Sequence, residues 1–450
     1  MAGSLADIVK AYDIRGLVPE QLDEAIARDL GAAFVRHLGA TAIVTGYDMR
    51  DSSPGLASAF AAGATAQGAD VTEIGLASTD VLYYAAGSLN LPGAMFTASH
   101  NPARYNGIKL CREGAAPVGQ DSGLADIRAL VEAGVPAYAG PTGTISQRDV
   151  LSDYSAYLKG LVPGIRDIRP LSVVVDAGNG MGGLTVPEVF ADLPVAVTKM
   201  YFELDGSFPN HEANPIDPAN LRDLQAKVRE TNADLGLAFD GDADRCFVVD
   251  ETGGIVSPSA LTGLIAAREL AREPGAKIIH NLITSRAVPE IVIERGGTPV
   301  RTRVGHSFIK ATMAETGAVF GGEHSGHFYF RDFWRADSGM LAALHVLAAL
   351  GGQAGTLSEL LAAFSRYADS GEVNSEVVDA AAATADVRKQ FADREGVEVD
   401  DLDGMTVSLP SGAWFNLRPS NTEPLLRLNV EAADDAAVAA LRDEVLAIIR

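Results

Sequence analysis

One pattern recurs three times along the chain and sharply limits what it can fold into. In the first copy the apolar run Thr41-Ala42-Ile43-Val44 is followed by the polar turn Gly46-Tyr47-Asp48-Met49-Arg50 and a helical stretch over 54–67. A second run, Asp70-Val71-Thr72-Glu73-Ile74, and another helical stretch lead to a third, Ala94-Met95-Phe96. The second copy has Val173-Val174-Val175-Asp176, then Gly178-Asn179-Gly180, Ala196-Val197-Thr198-Lys199 and Leu235-Gly236-Leu237-Ala238-Phe239. The third has Lys277-Ile278-Ile279-His280, Pro299-Val300-Arg301-Thr302 and Ala318-Val319-Phe320. Short β-rich runs alternating with helical stretches predict βαβ units and parallel strands. Right-handed crossovers then bring the strand C-termini to one edge of each sheet, where open α/β sheets bind ligands. After each third run a polar loop leads to a further apolar run, at 108–111, 246–249 and 328–330. These connections are too short for a crossover, so an antiparallel fourth strand is expected.

The tail departs from the repeat. Residues 366–374 read as a connector, 378–396 as a helix, 405–430 as alternating strands and 434–449 as an amphipathic helix. A chain of 450 residues is too long for one core. The expected fold is three similar α/β domains with mixed, mostly parallel sheets and a smaller C-terminal α+β domain, arranged around a central cleft. The expected boundaries are 1–148, 149–252, 253–366 and 367–450.

Bulk properties narrow the partners. A formal net charge of −23 argues against nucleic acid or an anionic membrane surface. It leaves room for a phosphorylated metabolite held by a few convergent Lys and Arg. No apolar stretch is long enough to cross a bilayer. The opening Met1-Ala2-Gly3-Ser4-Leu5-Ala6-Asp7 lacks the basic start and apolar core of a signal peptide. Cys111 and Cys246 have neither metal-ligand nor disulfide spacing. A cytoplasmic location is therefore expected, with a monomer or weak dimer as the assembly.

The three polar loops carry the chemistry. Thr97-Ala98-Ser99-His100-Asn101-Pro102 puts a hydroxyl at a strand end, where Pro102 stops the regular backbone. Tyr105, Asn106, Gly107 and Lys109 follow closely. Asp240, Asp242 and Asp244 alternate behind an apolar strand, and three such carboxylates repel one another without a cation. Arg245 is the one nearby cationic side chain that the local sequence supplies. Hard oxygen ligands in this number suit Mg²⁺ or Ca²⁺. An EF-hand would place Glu251 as its last ligand, but Arg245 stands where that loop needs Gly, and the flanks are strands. Glu323, Ser325 and His327 point the same way if the segment is extended, and offer sugar hydroxyls an acceptor, a hydroxyl and an imidazole. Arg418-Pro419-Ser420-Asn421-Thr422-Glu423-Pro424, with Arg427, combines guanidinium groups, hydroxyls and an amide in a turn, which by itself fits a phosphate cradle and a capped turn equally.

Taken together these strings resemble the alpha-D-phosphohexomutases, in particular the phosphomannomutase/phosphoglucomutase branch, over the whole chain. The resemblance implies an intramolecular phosphotransferase that interconverts hexose 6-phosphate and hexose 1-phosphate. The favoured pair is mannose 6-phosphate and mannose 1-phosphate, with glucose phosphates as second substrates. It implies a phosphoserine at Ser99 and one Mg²⁺ per chain on Asp240, Asp242, Asp244 and a phosphoserine oxygen. Hexose 1,6-bisphosphate is the implied intermediate and activator. His100, Lys109, Arg245 and His306 join Ser99 in the implied catalytic set, and Lys109 and His306 both remain open as the general base. Tyr12, Arg15, Gly305, His306, Glu323, Ser325, His327, Arg418, Ser420, Asn421, Thr422 and Arg427 are the implied substrate contacts. Two departures are small. Ala243 stands where Gly is common, and Asp80 follows Thr79 where the family commonly has Pro; neither is expected to disturb catalysis. Phosphoglucosamine mutases usually carry Gln where this chain has His324. A phosphatase-like hydrolase would need no sugar loop or second phosphate cradle, and a non-catalytic phosphosugar-binding paralogue would be expected to have lost Ser99 or an aspartate.

Overall fold

A computed structural model of the chain describes residues 5–419 and 425–450, with the backbone alone at His306 and Ser307. It divides into two compact units. One comprises Met1–Val256, Met313–Phe320 and Ser325–Leu360; the other comprises Ser257–Thr312, Gly321–His324 and Leu361–Arg450.

The first sheet contains β1 (Ile14–Leu17), β2 (Ala42–Tyr47), β3 (Asp70–Leu76), β4 (Gly93–Phe96), β5 (Tyr105–Cys111) and β6 (Ile145–Gln147), in the order β1-β5-β4-β2-β3-β6. The β2 strand lies parallel to β3 and β4, whereas β5 runs antiparallel to β4. Helices Glu24–Leu38 and Ser53–Ala66 cover this sheet at close range. A Cβ on Gly31 would lie 2.1 Å from the Phe60 carbonyl oxygen, and one on Gly63 would lie 1.9 Å from that of Arg28, so the two helices meet only because both positions lack side chains. Phe34, Phe60, Phe96, Ile43 and Val71 fill the core beneath them.

The second sheet contains β7 (Leu171–Asp176), β8 (Val195–Met200), β9 (Leu235–Phe239), β10 (Cys246–Asp250) and β11 (Ile255–Val256), ordered β11-β10-β9-β7-β8. Here too the three βαβ strands are parallel and the fourth, β10, runs antiparallel to β9. The third sheet takes β12 (Lys277–Asn281), β13 (Thr298–Thr302), β14 (Phe320–Gly322), β15 (Phe328–Phe330) and β16 (Ala336–Asp337) in the order β13-β12-β14-β15-β16. The fourth is wholly antiparallel, with β17 (Ala368–Glu376), β18 (Glu398–Asp400), β19 (Met405–Ser408), β20 (Trp414–Pro419) and β21 (Leu425–Ala432) ordered β17-β21-β20-β19-β18. Three α/β sheets and an α+β tail are the architecture expected from the repeats.

The segment read as a connector is instead the strand β17. Its polar sequence hid it because it is an edge strand, paired among the described residues with β21 alone and broken by a register shift between Asp369 and Glu372. Among the described residues, no helix is long and apolar enough to cross a membrane.

Candidate active site

The chemistry-bearing residues of the first two domains follow the C-terminal ends of their strands. The Asp48–Arg50 turn follows β2, the Ser99 loop follows β4 and the aspartate loop follows β9. Ser99 is 4% exposed and has φ +50°, a left-handed conformation that costs an L-residue about 1–2 kcal/mol. Its amide donates to Thr97 Oγ1 at 2.8 Å, and its hydroxyl donates to Asp240 Oδ2 at 2.8 Å. His100 Nδ1 lies 3.3 Å from Ser99 Oγ and accepts from the Arg245 guanidinium. Burial, reinforced by Arg245 and Arg15, holds the His100 imidazole well below its usual pKa, so it is neutral. Arg15, on β1, donates to Asn101 Oδ1 at 2.6 Å and pairs with Asp13.

Asp240, Asp242 and Asp244 are all buried, and one oxygen from each falls within a 4.8 Å cluster. Arg245 Nε donates to Asp240 Oδ2 at 2.9 Å. Arg245 is not the only cation, contrary to expectation from the local sequence. Lys109 Nζ, brought over by β5, lies 2.7 Å from Asp242 Oδ2 and 2.6 Å from Asp244 Oδ2. Burial alone would lower the pKa of Lys109, but these two carboxylates outweigh it and hold the amine charged. Burial raises Asp240, aided by the neighbouring carboxylates and opposed by Arg245. Burial also works against ionised Asp242, yet Lys109 and the Thr79 hydroxyl hold its carboxyl below the usual range.

The carboxylate set fits a hard divalent cation. Asp242 Oδ1 and Asp244 Oδ1 are buried with no hydrogen-bond partner among the described residues. Such orphan oxygens are costly unless something positive completes them.

Two residues noted in the sequence only as a departure from the family pattern are tied to this cluster. Thr79 Oγ1 donates to Asp242 Oδ2 at 2.5 Å, and its amide donates to the Asp242 carbonyl at 3.0 Å. Asp80 beside it is fully buried and receives hydroxyls from Ser78, Tyr154 and Ser338. The departure from Pro at position 80 was the available signal. Ala243 has φ +58°, which gives a physical reason for Gly being common there.

The Glu323–His327 stretch is a turn, so the expectation of three side chains on one extended face does not hold. Gly326, at φ +85°, breaks the strand between β14 and β15. Glu323 accepts from Asn281 Nδ2 at 3.2 Å and from the Gly305 amide at 3.1 Å. His327 instead bridges to Arg245 through its backbone and bonds Asp337 Oδ2 at 3.0 Å through Nδ1. Burial disfavours the His327 cation, but Asp244 and Asp337 outweigh it and raise its pKa. Ser325 lies in the turn itself, Tyr12 in the bend before β1, and His306 begins the helix His306–Thr316.

In the fourth sheet Arg418 and Arg427 are direct cross-strand partners on β20 and β21. Arg418 lies 3.6 Å from Asp403 and 3.9 Å from Glu372, and Arg427 lies 3.6 Å from Glu372. Ser420, Asn421 and Thr422 fall outside the described residues.

A buried hydroxyl thus faces a carboxylate cluster in a chain of three α/β domains and an α+β tail. The phosphoglucomutase/phosphomannomutase family matches nearly the entire chain: its alpha/beta/alpha domain I over residues 6–135, domain II over 153–254, domain III over 258–367 and its C-terminal domain over 372–448. The chain is 44% identical over 442 residues to the phosphohexose mutases of Xanthomonas campestris pv. campestris, covering 97% of each. It is 42% identical over 452 residues to an Escherichia coli phosphomannomutase, covering 98% of each. The crystal structure of a phosphoglucomutase/phosphomannomutase family protein from Burkholderia thailandensis superposes with a TM-score of 0.89 at 35% identity, over 100% of this chain and 97% of that one. The chain belongs to the alpha-D-phosphohexomutase family and is an enzyme of that isomerase class.

Proposed function

We propose that the enzyme interconverts mannose 6-phosphate and mannose 1-phosphate, accepts glucose phosphates more weakly, and works through a phosphoryl group on Ser99. The Ser99 hydroxyl held against Asp240 inside the carboxylate cluster carries this reading. A free hydroxyl of the sugar attacks the phosphorus of phospho-Ser99. The new P–O bond to the sugar forms as the bond to Ser99 Oγ breaks, and the attacking hydroxyl gives its proton to a base. The product of that half-reaction is hexose 1,6-bisphosphate. After the sugar reverses, its other phosphoryl group returns to Ser99 by the same exchange.

Charge balance supports a cation in this scheme. Three carboxylates face two cations, Lys109 and Arg245. A phosphate dianion added there without a metal would be strongly repelled. Asp240, Asp242, Asp244 and a phosphoserine oxygen would hold Mg²⁺, which when bound offsets that charge and polarises the phosphoryl group. Arg245, within 3.4 Å of Ser99 Oγ, is placed to donate to a phosphoryl oxygen. Lys109 is held as a cation by two carboxylates in this arrangement, which favours charge stabilisation over proton abstraction as its part. Arg418 and Arg427, with Ser420, Asn421 and Thr422, bind the phosphate that is not being transferred, while Glu323 and Ser325 engage ring hydroxyls.

The preference for mannose rests on the relatives named phosphomannomutase. Steady-state assays with the 1-phosphates of mannose, glucose and glucosamine test it. The highest kcat/KM is expected for mannose 1-phosphate, and a glucosamine preference would instead place the enzyme with the phosphoglucosamine mutases. Release of inorganic phosphate as fast as mannose 6-phosphate would contradict a mutase altogether.

A further inference from the structure

The polar turn after β2 contains the largest of the fully buried side chains, Arg50, and the exchange chemistry gives it no part. Every donor of its guanidinium is in use. Nη2 donates to the carbonyls of Ser99 at 2.8 Å and Asn101 at 2.7 Å. Nη1 donates to those of Pro102 at 3.0 Å and Tyr105 at 2.9 Å. Nε donates to Asp48 Oδ2 at 3.3 Å, and the Arg50 amide donates to Asp48 Oδ1 at 3.1 Å. The Phe208 ring lies across the guanidinium at 5.0 Å, and a Cβ on Gly206 would meet the Arg50 Cα at 2.6 Å.

Four carbonyls converging on one cation is an unusual arrangement for a loop. Loop carbonyls are normally satisfied by strand partners or water, and here a planar fork satisfies them from behind. It is the one geometry a guanidinium provides and an ammonium cannot. The carbonyl of Ser99 is fixed from two sides, by Arg50 Nη2 and by Gly241, where a Cβ would lie only 2.4 Å from that oxygen. The carbonyl on one side of the Ser99 Cα and the Oγ–Asp240 bond on the other together define where the hydroxyl points.

We propose that Arg50 is a positioning residue for phosphoryl transfer: it ties the carbonyls of residues 99, 101, 102 and 105 together so that Ser99 stays in its left-handed conformation with Oγ facing Asp240. Without it, the loop can relax toward ordinary backbone angles and carry Oγ off the line of attack. The proposal rests on Ser99 being the phosphorylated residue. Its structural half, the pinning of the loop, does not.

Arg50→Lys in the full-length protein tests it, because the buried positive charge beside Asp48 is kept and only the fork is lost. Amide hydrogen exchange should quicken over residues 97–107 and stay as in the parent elsewhere. With mannose 1-phosphate as substrate, kcat should fall by roughly 30-fold or more, as expected for a misplaced reacting atom. KM should stay within about three-fold, because no substrate contact is removed. A folded Arg50→Lys variant with parental kcat, or with parental exchange in the loop, overturns the proposal. Should that variant fail to fold, Phe208→Leu removes only the ring face behind the guanidinium. The same split of kcat from KM is then expected with a smaller loss, and parental kcat with parental loop exchange overturns the proposal. Failure of the mutase reading would look different: the parent itself would turn over no hexose phosphate.

Discussion

Ser99 holds a backbone angle that L-residues seldom adopt, and its neighbours are shaped around that fact. Gly241 is the tightest of them, since any side chain would strike the Ser99 carbonyl. Gly241→Ala should therefore displace the loop. Overpacking of this kind costs about 1–3 kcal/mol of stability, while kcat should drop far more, by about 100-fold. Thermal unfolding and steady-state kinetics on the same preparation measure both, and a variant that loses stability but keeps kcat would show that the contact is only structural. Asp80 is the other telling residue. Burial is the main cause that pushes its carboxyl from 3.8 to about 6, against three hydroxyl donors. A carboxyl raised in the folded state stabilises less once ionised. The cost is present in full above pH about 6 and is relieved as pH falls toward the unfolded value. Asp80→Asn should accordingly gain on the parent as pH rises from about 4 to about 7, by something on the order of 3 kcal/mol less whatever hydrogen bonding it loses. Parallel stability curves for the two proteins across that range would contradict this assignment.

At the scale of elements, the repeat of strand, helix and polar loop was legible because its buried central strands leave short apolar runs bounded by turn residues. The aspartate loop and Ser99 were legible for the same reason, since each follows the end of such a run. Two elements were not. The edge strand β17 carries no alternation to betray it, and the turn at Gly326 replaces what the spacing of Glu323, Ser325 and His327 suggested as a strand. The long-range partners were also hidden. Nothing near Asp242 in the sequence points to Lys109 or Thr79, which reach it only because β5 and the segment after β3 converge there. The aromatic cluster of Tyr84, Tyr157, Phe333 and Trp334 is likewise assembled from distant segments. Phe333 is fully buried in it. Phe333→Ala should cost about 3–5 kcal/mol and lower the urea midpoint, with little change in KM for the folded fraction. A midpoint equal to the parent's would mean that this cluster holds nothing together.

For the whole molecule, a net charge of −23 and an anionic substrate are at odds until the local balance is drawn. The excess of acid is a property of the whole chain, whereas Lys109 and Arg245 lie directly against the aspartate cluster. The same balance makes the metal indispensable to the proposed scheme. EDTA should abolish turnover and Mg²⁺ restore it, and Asp242→Asn should weaken the metal dependence as well as kcat. Full activity in chelator would remove the carboxylate cluster from the mechanism. The central claim is that Ser99 carries the phosphoryl group that is exchanged. Intact-protein mass spectrometry tests it directly, on the parent and on Ser99→Ala after incubation of each with hexose 1,6-bisphosphate and removal of the free sugar. The account predicts a single phosphoryl adduct on the parent, lost on addition of excess mannose 6-phosphate, and none on the variant. An equal adduct on both proteins, or parental turnover by Ser99→Ala, would contradict it.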